Sequence, residues 1–353
     1  MQLLQFHSHP AWVNATIFFV AGATIWFGGY RLSIYGDAIA ERNNWGRAFV
    51  GALLLGIVTS LPEVATSVSA AALGSAPLAV NNLMGGIAMQ IAVLAVVDLL
   101  FVKGALTFFS PKPVLLMCGV LLVFQLSLTL AAMAAGEFFS LWGVGLWPVV
   151  LMSAYVVSVF FMYRYEGRER WVAADIPDES YEEESPTADR KTQDETVSRF
   201  KLYALFAGSA LLVLVGGYAA SATGDALAEQ TGLGGSFVGA TLVALATSLP
   251  EVSTTMGAVR VGAYTMAIAN IFGTNALESG LLLICDIAYR GGLILEAVDR
   301  SAQFAAAMGI LVTCIYLWGL LERRNKTVLG MGVDSALVLS FWLLGLGGLY
   351  LLR

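Results

Sequence analysis

The sequence predicts an all-α polytopic membrane protein, with ten transmembrane helices arranged as two inverted-topology five-helix repeats. Three observations lead there: apolar segments of spanning length along most of the 353 residues, a motif that returns after 188 residues, and an odd number of spans between its two copies. Hydrophobic residues make up 58% of the chain and charged ones 12%, against about 25% charged in an average soluble domain. The apolar runs are continuous rather than alternating, which argues against a β-barrel.

Taken in order, the apolar runs predict spans at 12–34, 48–74, 77–101, 112–134 and 139–163, then 202–224, 236–261, 264–289, 302–321 and 333–352. The only long polar stretch separates the two sets of five. The chain therefore divides into a first repeat (1–163), an acidic linker (164–201) and a second repeat (202–353). Residues 165–200 hold 11 acids and 5 bases, which accounts for the whole net charge of −6. That acidity belongs to one segment too polar to bury a core, and it says nothing about a nucleic-acid partner.

Basic residues orient the spans. With the N-terminus placed outside, the cytoplasmic segments carry 16 of the 19 Lys and Arg, and only Arg290, Arg300 and Arg353 stay outside. Both termini are then external, across a bacterial or archaeal inner membrane. Met1 to Trp12 has no base ahead of the first apolar run, so it does not read as a cleaved signal peptide. Cys118, Cys285 and Cys314 fall in apolar segments without metal-binding spacing and read as small buried hydrophobes.

The repeat is gapless over its best part. Gly29–Glu63 and Gly217–Glu251 share 19 identities in 35 positions, including Thr59-Ser60-Leu61-Pro62-Glu63 and Thr247-Ser248-Leu249-Pro250-Glu251. The offset persists downstream, pairing Asn82 with Asn270, Gly85 with Gly273 and Asp98 with Asp286. Five spans lie between equivalent points, so the second copy enters the membrane from the opposite side.

Each motif sets a carboxylate beside a proline in an apolar run. At the middle of a bilayer such a group costs about 2.5 kcal/mol or more, which makes it a site candidate by default. A further polar residue follows 27 positions after each glutamate: Gln90 after Glu63, and Glu278 after Glu251. All four lie 13 to 15 residues into their predicted spans, close to mid-membrane. Thr59 and Thr247 precede their glutamates by four residues and share a helix face with them. Thr274 and Asn270 share a face with Glu278 in the same way. Pro62 and Pro250 are expected to release the carbonyls of Val58 and Ala246 one turn earlier. An all-oxygen set suits hard cations such as Ca²⁺ or Na⁺ and argues against zinc or copper.

The doubled Thr-Ser-Leu-Pro-Glu, with Asn-x-x-Gly and a further acid or amide downstream, resembles the two signature repeats of the cation/Ca²⁺ exchanger superfamily, and within it the sodium/calcium exchangers. The likeness spans nearly all the chain outside the linker, with its motifs at 51–90 and 239–278. It implies that Glu63 and Glu251 bind Ca²⁺ with help from Thr59 and Thr247, and that Gln90 and Glu278 complete the central site. It also implies flanking Na⁺ sites at Gly56, Ser60, Ala244, Ser248 and Thr274. Two positions depart from the family pattern: Gly86 stands where a serine is common, and Gln90 where asparagine is usual.

The resulting expectation is a secondary antiporter exchanging Ca²⁺ for Na⁺ by alternating access between the second, third, seventh and eighth spans. It would need no cofactor beyond the transported ions and would act as a monomer in the bilayer. Ca²⁺/H⁺ exchange, or exchange of another monovalent ion, is the alternative, and a passive cation channel is a further one. No nucleophile–base pair or nucleotide motif points to an enzyme. Asp98 and Asp286 lie near span ends, where helix contacts account for them. Asp37, Asp225, Glu41 and Glu229 read as loop and capping residues, and His7 and His9 as part of a tail.

Overall fold

The structure, a computed structural model, describes residues 6–110, 112–166, 168, 171, 198–230, 247–298 and 300–351. The linker between 172 and 197 and the first half of the predicted span 236–261 fall outside them. So do the side chains of His7, Asp225 and Glu229.

Helices dominate: α1 (Ala11–Asn43), α2 (Arg47–Thr59), α3 (Leu61–Ala72), α4 (Ala76–Phe101), α5 (Pro113–Ala135), α6 (Leu146–Tyr165), α7 (Arg199–Gln230), α8 (Leu249–Arg260), α9 (Tyr264–Ala288), α10 (Arg300–Glu322) and α11 (Val333–Leu351). Among the described residues, eight helices are long and apolar enough to cross a membrane. The bent pair α2 and α3, which meet at 47°, makes up to nine. Phe19, Val120, Phe160, Leu211 and Leu343 are among many large apolar side chains on the outer surface. Such a surface belongs against lipid rather than water.

The observed boundaries differ from the expected spans where backbone structure outlasts hydrophobicity. α1 and α7 run to 33 and 32 residues, well past the apolar stretch that predicted them. Helical hydrogen bonds need no apolar side chains, so the helix continues after the hydropathy falls. Polar ties secure this end of α1: Arg47 pairs with Asp37 at 2.6 Å, and Asn43 Nδ2 donates to the Tyr203 hydroxyl at 2.8 Å. Asn44, with φ of 51°, then closes α1 in a left-handed cap.

α6 begins seven residues later than expected. Ser140–Leu141 (β1) and Val144–Gly145 (β2) form a small antiparallel hairpin there, turned by Trp142 and Gly143, both at positive φ. Thr327–Val328 (β3) and Met331–Gly332 (β4) repeat it ahead of α11, turned by Leu329 and Gly330.

α4 and α9 occupy the centre and are the most enclosed of the long helices. α9 packs on α2, α4, α5 and α6, while α10 packs on α4, α5 and α11. Elements from the two ends of the chain are thus interleaved. Two aspartates 188 residues apart fasten them. Asp98 accepts the Leu106 N–H (2.9 Å), the Gly332 N–H (2.9 Å) and the Ser335 hydroxyl (2.6 Å). Asp286 accepts the Ile294 and Gly145 N–H groups, each at 2.7 Å. Each aspartate thus joins the loop after its own helix to the hairpin of the other half; the expected helix contact is present only from Asp98 to Ser335, and loop and hairpin N–H groups account for Asp286.

α1 and α7 lie side by side, and α1 also leans on α8. Adjacent glycines allow the approach. A Cβ on Gly28 would meet Val213 at 3.1 Å, and one on Gly216 would meet Ile25 at 2.9 Å. Their neighbours face the motif helices: a Cβ on Gly217 would collide with Cγ of Pro62. The proline ring cannot rotate away. Gly217→Ala should therefore lower the thermal unfolding temperature in detergent, by a strain of about 1–3 kcal/mol. Gly208→Ala, where nothing lies within 4 Å, should not. Equal melting of the two variants would show that α7 does not press on the motif helix.

Candidate ion-binding site

The site is built where helices break. Pro62 and Pro250 occupy the opening turns of α3 and α8, where a missing N–H costs nothing. Ser60 and Ser248 precede those helices as the residues at the break. Glu63 and Glu251 follow in the first turn. There the helix dipole supplies about half a positive charge to a carboxylate. Proline therefore both ends one half-helix and sets the position of the acid in the next.

Pro62 has no N–H to offer the Val58 carbonyl one turn earlier. At the α2 terminus the Ser60 N–H and hydroxyl both return to Gly56 O, at 3.0 and 2.7 Å. The turn tightens there and the chain bends. Ala246 lies outside the described residues, as does Ala244.

Side-chain placement follows the pairing read from the repeat. Glu63, Glu251, Glu278, Gln90, Thr59, Thr247, Ser60, Ser248, Thr274 and Asn270 are all at most 2% exposed. Glu63 lies within electrostatic reach of both Glu251 and Glu278, and the Thr247 hydroxyl faces it. Thr59 faces Glu251 in turn. Each motif threonine thus serves the glutamate of the other half. Neither contact closes to a full hydrogen bond, because both carboxyl oxygens of Glu63 and of Glu251 are buried without a partner among the described residues. Two bare carboxylates in a dry interior cost several kcal/mol unless positive charge offsets them.

Glu278 is held differently. Gln90 Nε2 donates to its Oε1 at 2.5 Å, leaving only Oε2 free. No three His, Cys, Asp or Glu side chains among the described residues draw together as a metal cage. The third carboxylate stands beside the motif pair, tied to the amide at its repeat-equivalent position. Gly86 borders it, since a Cβ there would lie 3.5 Å from Glu278 Oε2. Gly56 packs on Thr274, whose hydroxyl is 3.2 Å from where the glycine's Cβ would be and has no partner of its own.

Two polar residues not singled out from the sequence also sit in this layer. Asn275 donates to the Ile87 carbonyl at 3.3 Å, leaving its own oxygen unpartnered, and Ser279 is buried with a free hydroxyl. Ile87 is the repeat-equivalent of Asn275, so comparing the two halves hides the asparagine. Its position directly after Thr274 was the available signal. Asn270, expected to share the Glu278 face, instead donates to Thr254 Oγ1 at 3.2 Å and stitches α9 to α8. The equivalent Asn82 donates to Ser67 at 2.9 Å.

Known proteins carry the same architecture. The sodium-calcium exchanger NCX_Mj superposes with a TM-score of 0.68 at 18% identity, over 96% of this chain and 99% of that one; a second structure of NCX_Mj gives 0.69 at 16%. The putative antiporter CaxA of Alkalimonas amylolytica is 25% identical over 334 residues, 88% of this chain and 93% of that protein. The sodium/calcium exchanger MaX1 of Methanosarcina acetivorans is 31% identical over 123 residues, a third of each chain. The model of the family described as sodium/calcium exchanger protein matches residues 13–164 and 201–351. An integral membrane protein with buried acids at paired helix breaks, this chain belongs to the sodium/calcium exchanger protein family.

Proposed function

We propose that the protein is a secondary antiporter that exchanges Ca²⁺ for Na⁺ by alternating access, across a bacterial or archaeal inner membrane. The observation that carries this reading is the pair Glu63 and Glu251, four buried carboxyl oxygens without a donor among the described residues. Burial that costly is sustained when the cargo itself supplies the missing charge.

In this reading Ca²⁺ sits between the two glutamates, with the Thr59 and Thr247 hydroxyls beside it and Gln90 and Glu278 completing the set. Na⁺ occupies the flanking oxygens of Gly56, Ser60, Ala244, Ser248 and Thr274. No resident cofactor takes part. Exchange follows from charge: an empty site leaves carboxylates repelling one another in low dielectric, which opposes the rearrangement that would carry it across unloaded. The same chemistry makes a passive channel a poor description.

The proposed topology has ten spans in two inverted halves, 1–163 and 202–353, joined by the acidic linker 164–201. Its support is the count of up to nine apolar spans, the half-span α8, and the exchanged contacts of Asp98 and Asp286. The basic residues place both termini outside. α1 and α7, the longest helices, share a glycine-lined contact and would move together against the α2–α3, α4, α8 and α9 core. The monomer suffices for the site.

Proteoliposomes loaded with Ca²⁺ test the counter-ion. Efflux should follow an inward Na⁺ gradient and fail under a proton gradient alone. Proton-driven efflux without Na⁺ would replace this reading by Ca²⁺/H⁺ exchange, and Ca²⁺ flux with no counter-ion at all would replace it by a channel. Glu251→Gln should raise the half-saturating Ca²⁺ concentration at least about a hundredfold, the loss of one charged ligand in low dielectric. It should leave the detergent elution profile unchanged. Undiminished transport by this variant would remove the central site from the two motif glutamates.

A further inference from the structure

A second group of buried acids lies at the Phe101 end of α4. Gln90 and Asp98 are eight residues apart on α4, or about 12 Å at ~1.5 Å per residue. Asp98 is fully buried, and Asp334, in the first turn of α11, is 5% exposed. Both carboxylates approach one point: a Cβ on Gly332 would touch Asp334 Oδ1 and lie 3.2 Å from Asp98 Oδ2. Among the described residues, neither aspartate forms an ion pair. Arg323, near the same end of the bundle, directs Nη2 to the Phe108 carbonyl at 3.2 Å.

Asp98 has a structural role, and its three donors satisfy it. Asp334 does not fit that account. Its Oδ2 is buried with no partner. On α10, Gly319 and Tyr316 face it: a Cβ on Gly319 would touch Asp334 Oδ2, and the fully buried Tyr316 hydroxyl, also unpartnered, lies within electrostatic reach of both aspartates. At the other end of the bundle, Asp286 makes the matching link to a hairpin while Trp147 stands where Asp334 would. A second carboxylate there, Glu137, is partly open to solvent and accepts the Trp147 N–H. The link between halves therefore needs neither Asp334 nor Tyr316.

The helix dipoles deepen the negative potential. α4 and α10 both end here, each contributing about half a negative charge, against about half a positive charge from the start of α11. Two carboxylates then share a dry pocket without an ion-pair partner among the described residues, and Asp334 Oδ2 has no donor. We propose that Asp98, Asp334 and Tyr316 form a second cation site, which takes one small monovalent cation such as Na⁺ and ties α4, α10 and α11 together. One free carboxylate oxygen and one phenolic oxygen offer two open ligand positions, and the hydrogen-bonded Asp98 adds negative potential behind them. Ca²⁺ would require about six to eight oxygens. The site lies apart from the motif glutamates, and its occupancy is independent of theirs.

The test uses the full chain carrying Glu63→Gln and Glu251→Gln, so that binding at the motif glutamates is disabled. Equilibrium binding of radioactive Na⁺ in detergent, together with thermal unfolding across a Na⁺ series, should show saturable binding that includes one ion per chain dependent on Asp334, and a matching rise in melting temperature. Adding Asp334→Asn should weaken both at least about tenfold, and Tyr316→Phe about threefold, as expected for a charged and a neutral ligand respectively. Tyr316→Phe keeps the ring in place and decides the matter if the Asp334 variant does not fold. No saturable Na⁺ binding in this background would overturn the proposal. So would binding untouched by either substitution, or stabilisation by acid pH alone, which would mean that the carboxylates share a proton instead.

Discussion

A carboxylate buried without a hydrogen-bond donor is the constraint around which this molecule is organised. Glu63 and Glu251 come from separate halves of the chain, and neither finds a partner for its oxygens among the described residues. Their burial is made possible by the helix breaks at Ser60 and Ser248. The breaks put both acids in first turns, where the backbone dipole relieves part of the charge. The remaining charge invites a cation, and the family to which the chain belongs exchanges cations. Removing water strengthens every electrostatic contact in the site, so the complete burial of Gln90, Glu278, Thr59 and Thr274 belongs to the same design.

Such a site needs a frame that does not yield to the repulsion inside it. The interleaving of the two halves provides one. Asp98 grips the hairpin ahead of α11, Asp286 grips the one ahead of α6, and α10 packs into the first half against α4 and α5. Neither half can close its own core. α1 and α7 stand apart from this frame: they contact each other through Gly28 and Gly216, and press on the motif helices through Gly29 and Gly217. Glycine contacts give close approach without interlocking side chains. That would suit the movement of this pair against the core proposed above.

Much of this was legible beforehand, for a physical reason. A charged residue inside a membrane is so costly that each one stands out, and a duplicated motif makes the cost appear twice in register. The pairing of Gln90 with Glu278, now joined by a 2.5 Å hydrogen bond, followed from their equal spacing after the motif acids. Boundaries were less legible. Hydropathy records where lipid ends, whereas α1 and α7 continue as helices beyond it. The hairpin at 140–145 was hidden inside an apolar run that reads as helix until Trp142 and Gly143 turn at positive φ.

The sequence by itself determined the class of architecture and the identity of the paired acids, because local periodicity, proline chemistry and the repeat are all properties of neighbouring residues. Only the tertiary structure decided which oxygens go unsatisfied. Asp98 and Asp286 look alike in the sequence and make matching links, yet only Asp98 has the buried, partly unpartnered Asp334 and Tyr316 beside it. Satisfaction of a polar atom depends on donors brought from elsewhere in the chain, and no local pattern encodes where those donors end up.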